Sequence, residues 1–101
     1  MSGVVHESRC EAFKVGDEVY GWALTGSLTE YTTTPCQTVG IKPKALSFEK
    51  AAALPVVIAA AYVGLRDIVK KGDTVLVIGA VGGCGSISVP LAKSLGAAKV
   101  L

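Results

Sequence analysis

The run Thr74-Val75-Leu76-Val77-Ile78, followed at once by glycines at 79, 82, 83 and 85, constrains this chain more than any other feature. Hydrophobicity that is continuous rather than alternating predicts a strand covered on both faces, as in a parallel sheet. Ile87, Leu91 and Leu95 then recur at four-residue steps, the spacing of one helix face. Gly96 predicts the helix stop. Ala98-Lys99-Val100-Leu101 reads as the start of a second strand. Strand, glycine-rich turn, helix, strand is the arrangement that sets a helix N-terminus against a nucleotide pyrophosphate.

The turn reads Ala80-Val81-Gly82-Gly83-Cys84-Gly85. It fits G-x-G-x-x-G except that Ala80 holds the first glycine position, where Gly79 just before it supplies the backbone freedom. Gly82 has no side chain, so the main chain there can approach phosphate. Gly85 lets the helix lie close against the strand. The amides of Gly83, Cys84 and Gly85 open the helix and face the anion, and the helix dipole adds to the attraction. No Gly-Lys-Ser/Thr follows, which excludes a Walker loop. A tight strand-to-helix turn without a ligand is the competing reading. The charged residue that selects NADH or NADPH falls after Leu101 in this pattern, so that choice stays open.

The first part of the chain has a different character. Short strands are expected at Ser2–His6, after the Gly16-Asp17 turn, at Ser27–Thr34 and at Val39–Lys42, an all-β pattern. Pro35 and Pro43 close the last two. The pattern changes near residues 44–56. Ser47 is the expected N-cap of a helix, with Glu49 in its first turn. Pro55 is expected to end that helix and to open another, running Val56–Val69 and stopping at Gly72. The fold class is therefore α/β, a β-rich portion at residues 1–46 followed by helices and the opening of a parallel sheet at 47–101.

Composition narrows the function classes. Half of the 101 residues are hydrophobic and 18% are charged, which excludes intrinsic disorder. The net charge of +2 gives no electrostatic case for nucleic acid or an anionic membrane surface. The apolar stretch Ala51–Leu65 is shorter than the roughly 20 residues of a bilayer-spanning helix, so no membrane partner is expected. Cys10, Cys36 and Cys84 are far apart, with no CxxC, so reduced thiols and a reducing, cytoplasmic setting are expected and no metal.

Other candidates have ordinary readings. His6-Glu7 is expected to be a solvated strand end, since a lone pair offers no further ligand. Cys84 sits at a helix start, where a thiol can be activated, but a small packing residue is expected. Tyr20, Trp22, Tyr31 and Tyr62 could line a cleft, yet core positions are expected. Asp17 and Glu18 read as turn and surface charges.

Taken in order, several motifs resemble the medium-chain dehydrogenase/reductase superfamily. They are Phe13–Gly21, Gly26–Tyr31, Lys42-Pro43, Leu46–Glu49 with Ala51–Pro55, Ala61-Tyr62-x-Gly64-Leu65, Val75–Gly85 and Leu91-Ala92-Lys93. The nearest branch is that of the zinc-independent quinone oxidoreductases and enone reductases. The resemblance implies a GroES-like β-barrel joined to a Rossmann domain, of which this chain carries a part of the first and the opening βαβ unit of the second. It implies NADPH as cofactor, with NADH open, and hydride transfer to a quinone or an α,β-unsaturated carbonyl. It places cofactor contacts at Gly82, Gly83, Cys84 and Gly85, beside Ala80 and Val81. No four-cysteine zinc lobe lies between Gly21 and Thr29. Three features depart from the family pattern: the short Glu7–Ala12 connection, Ala60 in place of threonine, and Pro90 in place of glutamine.

Family members are much longer, so an incomplete chain is expected, poorly folded alone or hidden in a homo-oligomer. The alternative to an oxidoreductase segment is a non-catalytic chain that associates with a longer homologue. The residues present assemble no acid, base or substrate pocket, so no catalytic residue is assigned.

Overall fold

A computed structural model describes all residues from Met1 to Leu101. They form two compact units, Met1–Val56 and Val57–Leu101, and the fold is mixed α/β. The division falls within one helix.

The first unit is built on a three-stranded antiparallel sheet in the order β1 (Ser2–Val4), β2 (Glu18–Gly21), β3 (Val39–Ile41). Ser2 lies opposite Tyr20, and Tyr20 opposite Gly40. Gly16 makes the expected turn before β2 with φ +93°. The Asp17 carboxylate accepts the Lys14 amide at 2.8 Å and the Asp17 amide reaches the Lys14 carbonyl at 3.1 Å. Gly21 is forced by packing, because a Cβ there would sit 2.2 Å from the Thr38 carbonyl oxygen. Val19 is the buried centre of the sheet.

The expected strand at Ser27–Thr34 does not form; the segment is irregular and largely exposed. Its β-branched threonines use their hydroxyls locally instead. Thr25 bonds Thr32 and the Thr33 carbonyl, Thr32 the Gly26 carbonyl, and Thr34 the Trp22 carbonyl. Such bonds offer the backbone an alternative to a ladder, and no strand lies alongside to compete. The cysteine expectation also changes. Cys10 and Cys36, 26 positions apart, meet in disulfide contact with Cα atoms 6.5 Å apart, leaving only Cys84 free.

Helix α1 spans Phe48–Leu65 without interruption. Ser47 caps it as expected, its hydroxyl accepting the Lys50 amide at 3.4 Å and its carbonyl the Ala51 amide at 2.9 Å. Pro55 neither ends this helix nor starts another. It removes the one amide that would bond the Ala51 carbonyl, and the turns on either side carry the helix through. The helix stops four residues before the expected Val69, in a turn at 66–68 whose bonds return to Tyr62 and Leu65. Lys70 and Lys71 therefore lie beyond it. By length and apolar composition alone α1, at 18 residues, could cross a membrane, because it begins three residues before the apolar stretch.

The second unit contains β4 (Thr74–Val75), α2 (Gly83–Ser94) and β5 (Lys99–Val100). The two strands are parallel, Thr74 opposite Lys99 and Val75 opposite Val100. The ladder continues through Leu101 N–H to Val75 O at 2.9 Å and Val77 N–H to Leu101 O at 2.8 Å. Cover on both faces is not found. Val75 and Val77 are half-buried, whereas Leu76 and Ile78 are 67% and 89% exposed. One face of the strand is packed and the other is open.

Helix α2 turns Ile87, Leu91 and Leu95 toward partial burial and buries Ala92 completely. Like Pro55, Pro90 sits inside the helix without ending it. Its N-terminus has Gly82 as cap and no side-chain hydrogen bond. Its C-terminus closes as a Schellman motif. Gly96, at φ +106°, bonds the Lys93 carbonyl at 3.0 Å, and the Ala97 amide bonds the Ala92 carbonyl at 3.1 Å.

Candidate cofactor cradle

The glycine turn between β4 and α2 is built from its main chain. Gly79 takes φ +79°, a region that favours glycine. Its carbonyl accepts the Gly82 amide at 3.0 Å, closing a four-residue turn over Ala80 and Val81. Gly82 then leaves in extended conformation and caps α2 by accepting the Ser86 amide at 2.8 Å.

The three downstream glycines differ in what surrounds them. At Gly85 a Cβ would lie 2.1 Å from the Gly79 carbonyl oxygen and 2.8 Å from Ala80 Cα. Only hydrogen fits there, so the turn and the helix are in backbone contact. At Gly83 a Cβ would come 3.2 Å from Val57 Cγ1, a tight contact with a side chain. At Gly82 the nearest atom is the Gly79 oxygen at 3.4 Å, an ordinary contact. Gly85 thus serves packing, whereas the fold itself does not require glycine at Gly82.

The amides of Gly83, Cys84 and Gly85 are in the first turn, where a helix provides no internal acceptor. The hydroxyls of Ser86 and Ser88 turn back to the carbonyls of Gly83 and Cys84, at 2.9 and 2.8 Å. No acidic residue lies in this turn. First-turn amides, the helix dipole and an open Gly82 are the features that could hold an anion of phosphate type. Of the residues named for this site, Ala80, Val81 and Gly82 form the turn, and Gly83, Cys84 and Gly85 open α2. Cys84 is exposed rather than a packing residue.

The other expected candidates do not join it. His6 is exposed and meets Tyr31 edge to face at 5.2 Å. Glu7 pairs with Arg9 at 3.4 Å, both in solvent. Trp22, Tyr31 and Tyr62 are exposed rather than core, at 43%, 70% and 46%. No cluster of three His, Cys, Asp or Glu side chains could hold a metal ion. A cavity of about 800 Å³ lies within the first unit, between the Met1–Cys10 segment and the Ser27–Cys36 segment.

One functional group escaped sequence reading. Lys42 is buried, at 5% exposure. Its ammonium donates to Glu18 Oε2 at 2.9 Å, to the Leu46 carbonyl at 2.6 Å and to the Pro43 carbonyl at 3.3 Å, and lies 5.0 Å from the Phe48 ring centre. It pins β2 and the connection between β3 and α1 around one charge. Only the proximity of Lys42 to Pro43 in sequence could have hinted at this.

No protein-family model matches the chain. It is 45% identical over 113 aligned residues to 2-methylene-furan-3-one reductase of Solanum lycopersicum, covering 99% of this chain and 29% of that protein. An alcohol dehydrogenase superfamily protein from Novosphingobium aromaticivorans superposes with a TM-score of 0.92 at 31% identity, over 99% of this chain and 33% of that one. Escherichia coli quinone oxidoreductase complexed with NADPH gives 0.80 at 33% identity, over 98% and 32%. The chain therefore spans about a third or less of the length of these relatives.

Proposed function

This chain belongs to the medium-chain dehydrogenase/reductase superfamily, and we propose that it supplies the pyrophosphate cradle of an NADPH-dependent oxidoreductase that reduces a quinone or an α,β-unsaturated carbonyl. Two relatives support the substrate class and cofactor: one is named as a furanone reductase and the other is a quinone oxidoreductase complexed with NADPH. In this reading residues 1–46 belong to a GroES-like barrel domain, and residues 47–101 lead into a Rossmann domain and open it.

The observation that carries the proposal is the contrast between Gly82 and Gly85. Gly85 is closed by backbone, while Gly82 is open at a helix start that no side chain caps. A Cβ at Gly82 meets only the Gly79 oxygen, at 3.4 Å, so a group resting on Gly82 is what a side chain there would oppose. A nicotinamide cofactor would supply the hydride when bound. The amides of Gly83, Cys84 and Gly85 would hold its diphosphate, and Ala80 and Val81 form the turn that brings those amides into place. Fixing the diphosphate fixes how far the rest of the cofactor can wander, and positioning of this kind is the main protein contribution to hydride transfer.

Titration with NADPH, read by isothermal calorimetry, tests this. The native chain should bind saturably. Gly82→Val should weaken binding about tenfold or more, equivalent to about 1.4 kcal/mol, with far-UV circular dichroism unchanged. Equal binding by both, or none by the native chain, overturns the proposal.

A second reading rests on the open face of β4. Exposed Leu76 and Ile78 beside a two-stranded sheet favour self-association or pairing with a longer homologue. Sedimentation would show a monomer at all concentrations if that reading is wrong.

A further inference from the structure

We propose that Cys10 and Cys36 form a reversible disulfide that clasps two irregular segments of the first unit together. The segments are the connection from Val5 to Asp17 and the loop from Trp22 to Pro35, neither of which forms a strand or helix; Cys36 follows the loop directly, as the first residue of a single 3-10 turn, Cys36–Thr38. Hydrogen bonds of the loop stay within it or reach Thr38, most of them from its threonines, and those of the connection stay within it, as in Val5 N–H to Asp17 O at 2.9 Å. The cysteine pair ties the connection to the end of the loop, and His6 approaches Tyr31 edge to face across the same space. Both cysteines line the cavity between these segments.

The geometry suits a bond that forms and breaks. The Cα separation of 6.5 Å falls within the span a disulfide bridges. Both cysteines are half-buried rather than sealed, so a small disulfide can reach them. The step is thiol–disulfide exchange with a small-molecule disulfide such as oxidised glutathione. One thiolate attacks the small disulfide and releases one small thiol. The second cysteine then attacks the mixed disulfide and releases the other. Two protein thiols become one bond, and the two electrons and two protons leave on two small thiols. Excess small thiol reverses it. Closing the ring ties the end of the loop to the connection and holds the cavity walls together; opening it removes the one covalent tie between them.

The test uses the native chain equilibrated at several ratios of reduced to oxidised glutathione, then trapped with a maleimide mass tag. Oxidised samples should carry one tag, on Cys84, and reduced samples three, with peptide mapping showing a Cys10–Cys36 link. Chymotryptic cleavage after Leu28 and Tyr31 should be about tenfold or more slower in the oxidised form. The Cys36→Ser chain should lose this difference while keeping the far-UV spectrum of the reduced native chain. Three tags at every ratio, a link through Cys84, or equal cleavage of both forms would overturn the proposal.

Discussion

Replacing Gly85 with alanine adds one methyl group at the point where the glycine turn and α2 touch. The new carbon would lie 2.1 Å from the Gly79 carbonyl oxygen, 2.8 Å from the Gly79 carbonyl carbon and 2.8 Å from Ala80 Cα. All three are main-chain atoms, so no side chain can swing aside. Restoring ordinary contact requires the turn and helix to part by roughly 1 Å. Overpacking of this kind costs about 1–3 kcal/mol. The movement also strains the Gly82 N–H to Gly79 O bond of 3.0 Å, worth about 1 kcal/mol. Against this, alanine is favoured over glycine in a helix by about 1 kcal/mol. The net expectation is a loss of about 1–3 kcal/mol. Gly64→Ala is the matched control, since Gly64 is helical with nothing within 4 Å of its would-be Cβ; it should gain about 0.5–1 kcal/mol. Urea unfolding followed by far-UV circular dichroism measures both. If Gly85→Ala is as stable as Gly64→Ala, the turn and helix are not in contact and the assignment of Gly85 to packing fails.

The buried ammonium of Lys42 makes a second contrast. Lys42→Met keeps the bulk but strands the carbonyls of Pro43 and Leu46, and should cost about 1–3 kcal/mol in the same assay. Glu18→Gln should cost less than about 1 kcal/mol, because Glu18 is half exposed and can turn to water; equal losses would show that the ion pair alone holds the connection. At the start of α1, the Glu49 backbone amide and then the Ser47 hydroxyl hold the Glu49 carboxyl below its ordinary 4.5. A depressed folded-state value stabilises above the unfolded pKa and is lost as pH falls through the folded one. Helical ellipticity should therefore decline as the solution is acidified below about 4.5, and Glu49→Gln should flatten that decline; an unchanged profile refutes the assignment.

What could be read from the sequence was local. The turn at Gly16-Asp17, the Ser47 cap, the Gly96 stop and the Ile87-Leu91-Leu95 face each depend on residues within a few positions, and all appear. What depended on distant neighbours was misread. Ser27–Thr34 has strand composition but no strand beside it, so its threonines turn to their own backbone. Pro55 predicts a terminus when its missing amide is taken alone, and the turns on both sides carry the helix through. The run Thr74–Ile78 predicts a strand covered on both faces, and the described residues cover only one of them. The cysteine pairing and the Lys42 network join residues far apart in sequence or in unrelated elements, and no spacing rule announces either. At the cradle, the sequence assigns Gly85 to close packing and leaves Gly82 open to approach, and the structure shows what Gly85 packs against: the Gly79 carbonyl and Ala80 Cα of the turn.

The Schellman closure of α2 has a mechanical consequence. Gly96 gives its carbonyl to the Gly72 amide at 2.8 Å, and the Asp73 carbonyl takes the Ala98 amide at 2.8 Å. Everything at the foot of the βαβ unit is thus knotted by main-chain bonds, while its upper rim carries idle donors. Thermal fraying should begin at that rim and travel downward, so a guest arriving there would stiffen the weakest edge of the unit instead of reinforcing what already stands firm.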